Sequence, residues 1–184
     1  MSNALLTSAT GRLLAQDLDW CLRLNRLTRR GWVQRYFARV SRLGDGVFWY
    51  LIIALMPLLD PENGMLAAAH MLIVGGIALL LYRWLKRWSK RPRPLHRHTA
   101  ILSSVAPLDE FSFPSGHTLH AVSFTYVALL YLPVLGIVLL PFALSVALSR
   151  VVLGLHYPSD VLAATVIGVA LGRGSQMLIA VLAG

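Results

Sequence analysis

The stretch PVLGIVLLPFALSVALSRVVLGLHYPSD, residues 133–160, decides how this chain folds. From Pro133 to Leu153 it is apolar apart from Ser145, Ser149 and Arg150. About 20 such residues cross the hydrocarbon core of a bilayer as a helix. The polar side chains gather at one end, where Ser149 and Arg150 lead into a short turn carrying His156. Pro158 and Ser159 then read as a helix start, with Ser159 as N-cap, so Asp160 falls in the first turn of the next helix. That helix, Val161 to Leu182, is again apolar and is interrupted by Arg173. Two membrane-crossing helices therefore meet at a junction built from Arg, His and Asp.

The same reading extends upstream. Met65 to Leu85 and His117 to Leu132 are further spans, and Val47 to Leu59 is a short one that needs Leu43 to Gly46 to approach the thickness of the core. Of the 184 residues, 57% are hydrophobic, against about 45–50% in soluble domains. The expected fold is all-α, a polytopic membrane helix bundle of about five transmembrane helices with interfacial helices at the N-terminus. It is read as a single domain, with residues 1–42 interfacial and amphipathic and residues 43–184 forming the transmembrane bundle. In the first part Gln16, Asp19, Arg23, Arg26 and Arg30 mark one helix face and Leu14, Leu18, Cys21 and Leu22 the other. Trp32, Tyr36, Val40 and Leu43 repeat the pattern opposite Arg35, Arg39 and Arg42, a basic face suited to anionic lipid. The first 20 residues, with Asp17 and Asp19 and no basic start, lack the pattern of a cleaved signal peptide. Cys21, the one cysteine, permits no internal disulfide and no thiolate metal cluster.

With hairpins at Asp60 to Gly64 and near Leu132–Pro133, three separate polar runs fall at one membrane face. They are Lys86 with Arg93–Pro94; Pro114–Ser115–Gly116–His117; and Ser149–Arg150 with His156 and Asp160. A phosphoryl group in transfer spreads negative charge over three oxygens and needs fixed cations and N–H donors around it. Lys86, Arg93 and Arg150 can supply charge. His156 and His117 offer a nucleophile and a proton donor, and Asp160 can hold one imidazole in the tautomer whose other nitrogen attacks. Gly116 at a helix start lets backbone N–H groups approach an anion closely.

The spacing resembles the phosphatidic acid phosphatase type 2 and vanadium haloperoxidase superfamily, whose pattern is K-x6-R-P, P-S-G-H and S-R-x5-H-x3-D. All three elements occur here in order between Lys86 and Asp160. The resemblance implies a membrane lipid phosphatase with His156 as nucleophile through a phosphohistidine and Asp160 orienting it. It implies His117 as the acid that protonates the leaving oxygen and then activates water. Lys86, Arg93, Ser115, Gly116 and Arg150 would bind phosphate. It does not choose among phosphatidate, phosphatidylglycerophosphate and isoprenoid phosphates or diphosphates, and a phosphotransferase passing the group to a lipid acceptor is the alternative. The apolar spans argue against the soluble haloperoxidases, and the intact motifs against a transporter with an inert remnant of the site.

No cofactor is expected, and no metal, because the cations replace magnesium and no carboxylate cluster is present to bind it. The expected partners are the bilayer and a lipid phosphate substrate. Nucleic acid is not expected despite the formal charge of +9, since no nucleic-acid module is visible and Trp84 and Trp88 sit where an aromatic belt belongs. His96 and His98 read as a basic loop rather than a metal pair, His120 as a residue either within reach of the pocket or packed against a neighbouring span, and His70 as a satisfied intramembrane histidine. Asp109 and Glu110 are expected to pair with basic residues of the loop from Leu95 to Phe113, which forms the pocket mouth. All Lys and Arg except Arg173 fall on the motif side, so the positive-inside rule puts the site on the cytoplasmic face, in a bacterial inner membrane.

Overall fold

In the computed structural model, which describes residues 9–183, every regular element is helical. The helices are α1 (Ala9–Asn25), α2 (Gly31–Leu43), α3 (Val47–Leu59), α4 (Gly64–Ser89), the single turn α5 (Pro94–Arg97), α6 (Gly116–Tyr131), α7 (Gly136–Val152) and α8 (Pro158–Ala183). Short 3₁₀ turns, Arg26–Arg29 and Pro133–Leu135, join α1 to α2 and lead into α7. The first eight residues, part of the stretch read for a signal peptide, lie outside the described residues.

At the centre stands α6, packed against α4, α7 and α8. Its approach to α8 depends on small residues at four-residue spacing, Ala164, Gly168 and Gly172. A Cβ at Gly172 would lie 2.5 Å from the Tyr126 ring of α6, and one at Gly168 would lie 3.0 Å from Val122. Lipid tails are as apolar as leucine, so helices in a membrane gain by such close backbone approach more than by burying large side chains. A larger core of Trp49, Met56, Met71, Phe124, Leu139 and Val146 joins α3, α4, α6 and α7. The outward faces are apolar as well, with Ile137 78% and Leu182 77% exposed, an arrangement that suits a lipid surround and not water.

Length and composition alone give fewer spans than the expected five or so. Among the described residues, three helices are long and apolar enough to cross a bilayer: Gly64–Ser89, Pro133–Val152 with its leading turn, and Pro158–Leu182. A fourth is reached only by joining α2 and α3, which bend by 52° where they meet. Leu43 to Gly46, expected to lengthen the short span, instead breaks it. Gly44 is pressed against Val146, and Gly46 adopts φ +142°, a backbone glycine alone tolerates readily. The 16 residues of α6 make it shorter than a free-standing span, and it is sheltered by its neighbours.

The N-terminal helices also pack differently from their apolar pattern. The buried face of α1 is Asp17, Cys21 and Asn25, while Leu14 and Trp20 are exposed; in α2, Val33, Val40 and Ser41 are buried, while Trp32, Tyr36 and Leu43 are exposed. Asn25 explains part of this. Its amide donates to the carbonyls of Leu102 (2.8 Å) and Val152 (2.9 Å) and accepts from Leu102 N–H (2.9 Å), tying α1 to the end of α7 and to the loop before α6.

Opposite the site, Asp60 closes the α3–α4 turn by accepting from the N–H groups of Glu62 and Asn63. Gly64 is required there, because a Cβ would fall 2.0 Å from the Met56 carbonyl oxygen. The two antiparallel hairpins α3–α4 and α6–α7 leave the C-terminal ends of α4 and α7 and the N-terminal ends of α6 and α8 together.

Candidate active site

These four helix ends enclose a cavity of about 870 Å³ whose lining includes Lys86, Arg93, Gly116, His117, Arg150 and His156. Residues of all three sequence motifs, up to 70 positions apart, thus share one chamber. Lys86, Arg93 and Arg150 are each almost completely buried.

His156 lies in the turn between α7 and α8, held by its backbone N–H to the Arg150 carbonyl (3.0 Å). Its Nε2 faces Arg93 Nη1 at 3.1 Å. A guanidinium has donors only, so Nε2 presents its lone pair and the ring proton resides on Nδ1. Nδ1 points at Asp160 Oδ2 from 3.7 Å and has no closer partner. Burial, then the charges of Arg93, Arg150 and Lys86, hold the imidazole well below its ordinary pKa. The ring is therefore neutral near pH 7, with the nitrogen remote from Asp160 turned to the cations.

Asp160 is fully buried and fully engaged. Oδ1 accepts from Arg91 (2.7 Å), and Oδ2 accepts from Tyr157 N–H (2.9 Å) and from the Ser112 hydroxyl. The bond to Tyr157 corrects the expected cap. Helix α8 begins at Pro158, and the carboxylate of its third residue reaches back to the residue before it, which is half of a capping box. Ser159 is not the cap. It receives a hydrogen bond from Arg91 (2.7 Å) and donates to Asp17, whose other oxygen accepts from Ser159 N–H (2.9 Å). Arg91 completes the set with 2.6 Å to Asp17. Helix α1 is thereby connected to Asp160 through one arginine.

Asp109 occupies the cation cluster. Its Oδ1 lies 2.7 Å from Lys86 Nζ and 2.6 Å from Arg93 Nη2, and its carbonyl accepts from Arg93 Nε (2.8 Å). Burial alone would raise this carboxyl, but the hydrogen bond and charge of Lys86 and the charge of Arg93 prevail and hold it below its usual value. The sequence reading paired Asp109 with surplus basic residues of the loop; its partners are the candidate phosphate ligands themselves. Ser115 is also engaged elsewhere, capping α6 by accepting from Thr118 N–H (3.4 Å). Gly116, next in the chain, lines the cavity.

His117 directs Nε2 to Asp45 Oδ1, in the break between α2 and α3. His120 lines the same cavity, with Nδ1 on the Gly116 carbonyl (3.0 Å) and Nε2 on that of Gly75 (3.2 Å). His70 is only half satisfied, with Nδ1 on the Tyr131 hydroxyl (3.0 Å) and Nε2 unpartnered. Asp45, Asp17, Arg91 and Ser112 escaped the sequence reading. Asp45 did carry a signal, a lone carboxylate between two glycines in a segment read as membrane span.

The chain matches the PAP2 superfamily over residues 65–179. It is 38% identical over 142 residues to the decaprenylphosphoryl-5-phosphoribose phosphatase of Mycobacterium tuberculosis, covering 72% of this chain and 71% of that one. It is 30% identical over 164 residues to phosphatidylglycerophosphatase B of Bacillus subtilis, covering 79% and 74%. The crystal structure of a transmembrane PAP2 type phosphatidylglycerolphosphate phosphatase from B. subtilis superimposes with a TM-score of 0.69 at 28% identity, covering 95% of this chain and 89% of that one. On family match, sequence and fold together, this integral membrane chain belongs to the PAP2 superfamily.

Proposed function

We propose that this chain is a membrane phosphatase that hydrolyses a lipid phosphate or diphosphate, without a metal, through a phosphohistidine on His156. The observation that carries this reading is the contact of Arg93 with His156 Nε2, which leaves an unprotonated nucleophile among three buried cations. The substrate phosphate displaces the Asp109 carboxylate from Lys86 and Arg93. Arg93 turns its donor from His156 Nε2 to a phosphate oxygen, the freed Nε2 lone pair forms a bond to phosphorus as the lipid oxygen departs, and His117 gives that oxygen its proton. Positive charge developing on the imidazole is stabilised by Asp160 across the ring. His117 then takes a proton from water, which breaks the N–P bond and releases phosphate. Gly116 and Ser115 offer the N-terminal end of α6 to the phosphate oxygens.

The names of the two relatives join a phosphate to a prenyl lipid in one case and to a glycerolipid in the other. The cavity suits such a molecule. Beyond the charged end its lining includes Ile53 of α3 and Leu72 and Leu79 of α4, an apolar wall for a chain still lying in the bilayer. We place the site on the cytoplasmic face of a bacterial inner membrane, because the Arg-rich helices α1 and α2 share its end of the molecule.

Purified protein should release inorganic phosphate from at least one member of a panel of phosphatidate, phosphatidylglycerophosphate and polyprenyl phosphates, equally with and without EDTA. His156→Ala should release none. Loss of activity in EDTA with recovery on adding magnesium would overturn the reading.

A further inference from the structure

We infer that Asp45 is the positioning residue for His117, so that His117, like His156, has its own carboxylate. This rests on the proposed role of His117 as proton donor. Asp45 belongs to Gly44–Asp45–Gly46, the break where α2 and α3 bend by 52°. The break presents Asp45 in a fixed place. Gly44 N–H donates to the Val40 carbonyl (2.9 Å) and Asp45 N–H to that of Arg42 (3.1 Å). Gly44 is packed on Val146 of α7, and Gly46 turns with φ +142° beside the Tyr50 ring.

The carboxylate so placed contacts His117 Nε2. A carboxylate only accepts, so Nε2 carries a proton in either charge state of the ring, and Nδ1 is the nitrogen that gains and loses one. An imidazole without such a partner could rotate or change tautomer and would lose its aim at the leaving oxygen. Arg150 stands near both groups.

The test is a double-mutant cycle with two esters. A general acid contributes about 10²–10⁴-fold where the leaving oxygen is basic and little where it is acidic. Asp45→Asn should slow hydrolysis of the lipid alkyl phosphate by about 10²-fold and that of p-nitrophenyl phosphate by less than about tenfold. In a His117→Ala background the same change should cause no further loss. Asp45→Glu, which keeps the carboxylate, should recover part of the alkyl ester activity, and vanadate binding by Asp45→Asn shows whether the cation cradle is intact. Equal loss on both esters, full activity of Asp45→Asn, or additive loss with His117→Ala would overturn the inference. If instead the unaltered protein hydrolyses no lipid phosphate, or His156→Ala retains activity, the proposed function itself has failed.

Discussion

His156 combines two requirements that oppose each other in water, a basic nitrogen and freedom from protonation near neutral pH. Burial beside Arg93, Arg150 and Lys86 depresses its pKa well below the ordinary value, whereas the unfolded chain keeps about 6.5. As pH falls through about 6.5, the unfolded state takes up a proton that the folded state refuses, so the native protein loses stability in that direction. A ¹³C-histidine NMR titration should accordingly show the His156 ring, assigned by its absence in His156→Gln, unchanged between about pH 6 and 8. A midpoint at or above 6.5 in the free protein would remove the argument for a ready nucleophile. Arg91 acts one residue further out. Removing one partner of a buried ion pair costs about 3–5 kcal/mol, and since Arg91 is partly exposed, Arg91→Ala should destabilise the protein by about 3 kcal/mol or less, with a lower midpoint of thermal unfolding in detergent. It should also slow turnover by freeing Asp160, the only fixed anion facing His156 Nδ1 among the described residues.

Among the elements, the loop between α5 and α6 has the clearest functional bearing. It lays Asp109 across Lys86 and Arg93 and fastens its far end through Ser112 N–H to the Arg91 carbonyl (2.7 Å). Any phosphate binding those cations competes with Asp109, so Asp109→Asn should bind vanadate more tightly, by about tenfold if the ion pair opposes binding with about 1.4 kcal/mol. Inhibition of phosphate release measures this directly; weaker inhibition in the variant would mean that Asp109 assists the anion. Helix α6 makes a separate demand. Gly172→Val would drive a side chain into Tyr126 and should lower stability by about 1–3 kcal/mol, read as a reduced unfolding midpoint. The helices and the three motifs were legible in the sequence because apolar length and residue spacing survive without tertiary information. Asp109 was legible as a charge partner, but its partners were not, since a 23-residue separation from Lys86 says nothing about where an irregular loop returns. Asp45 was hidden for a related reason: it stands beside an apolar stretch, and the bend that exposes it combines Gly46 at φ +142° with Gly44 packed on a helix a hundred residues away.

At the scale of the whole molecule, charge and polarity divide the protein into two ends. The motif end carries Lys86, Arg93, Arg150 and the basic faces of α1 and α2, while the turn from Asp60 to Gly64 has no basic residue. Cys21 is buried and its thiol is raised by that burial to about 12, so it should not compete for a thiol reagent. Asn63→Cys in intact spheroplasts should therefore be labelled by an impermeant maleimide, and His98→Cys only after the membrane is opened. The opposite pattern would put the site on the outer face. The polar latch of α1, with Asp17 on Arg91 and Asn25 on α7, could not be read from its amphipathic pattern, which drew attention to Leu14 and away from the buried Asp17. The central claim is nevertheless a chemical one, that phosphate passes through His156. Rapid quenching of the purified protein with a ³²P-labelled substrate should yield an acid-labile, alkali-stable phosphoprotein. The label should map to the peptide containing His156, persist longer in His117→Ala with an activated ester, and be absent from His156→Ala. Label retained in His156→Ala, or recovered on any other residue, would contradict the account.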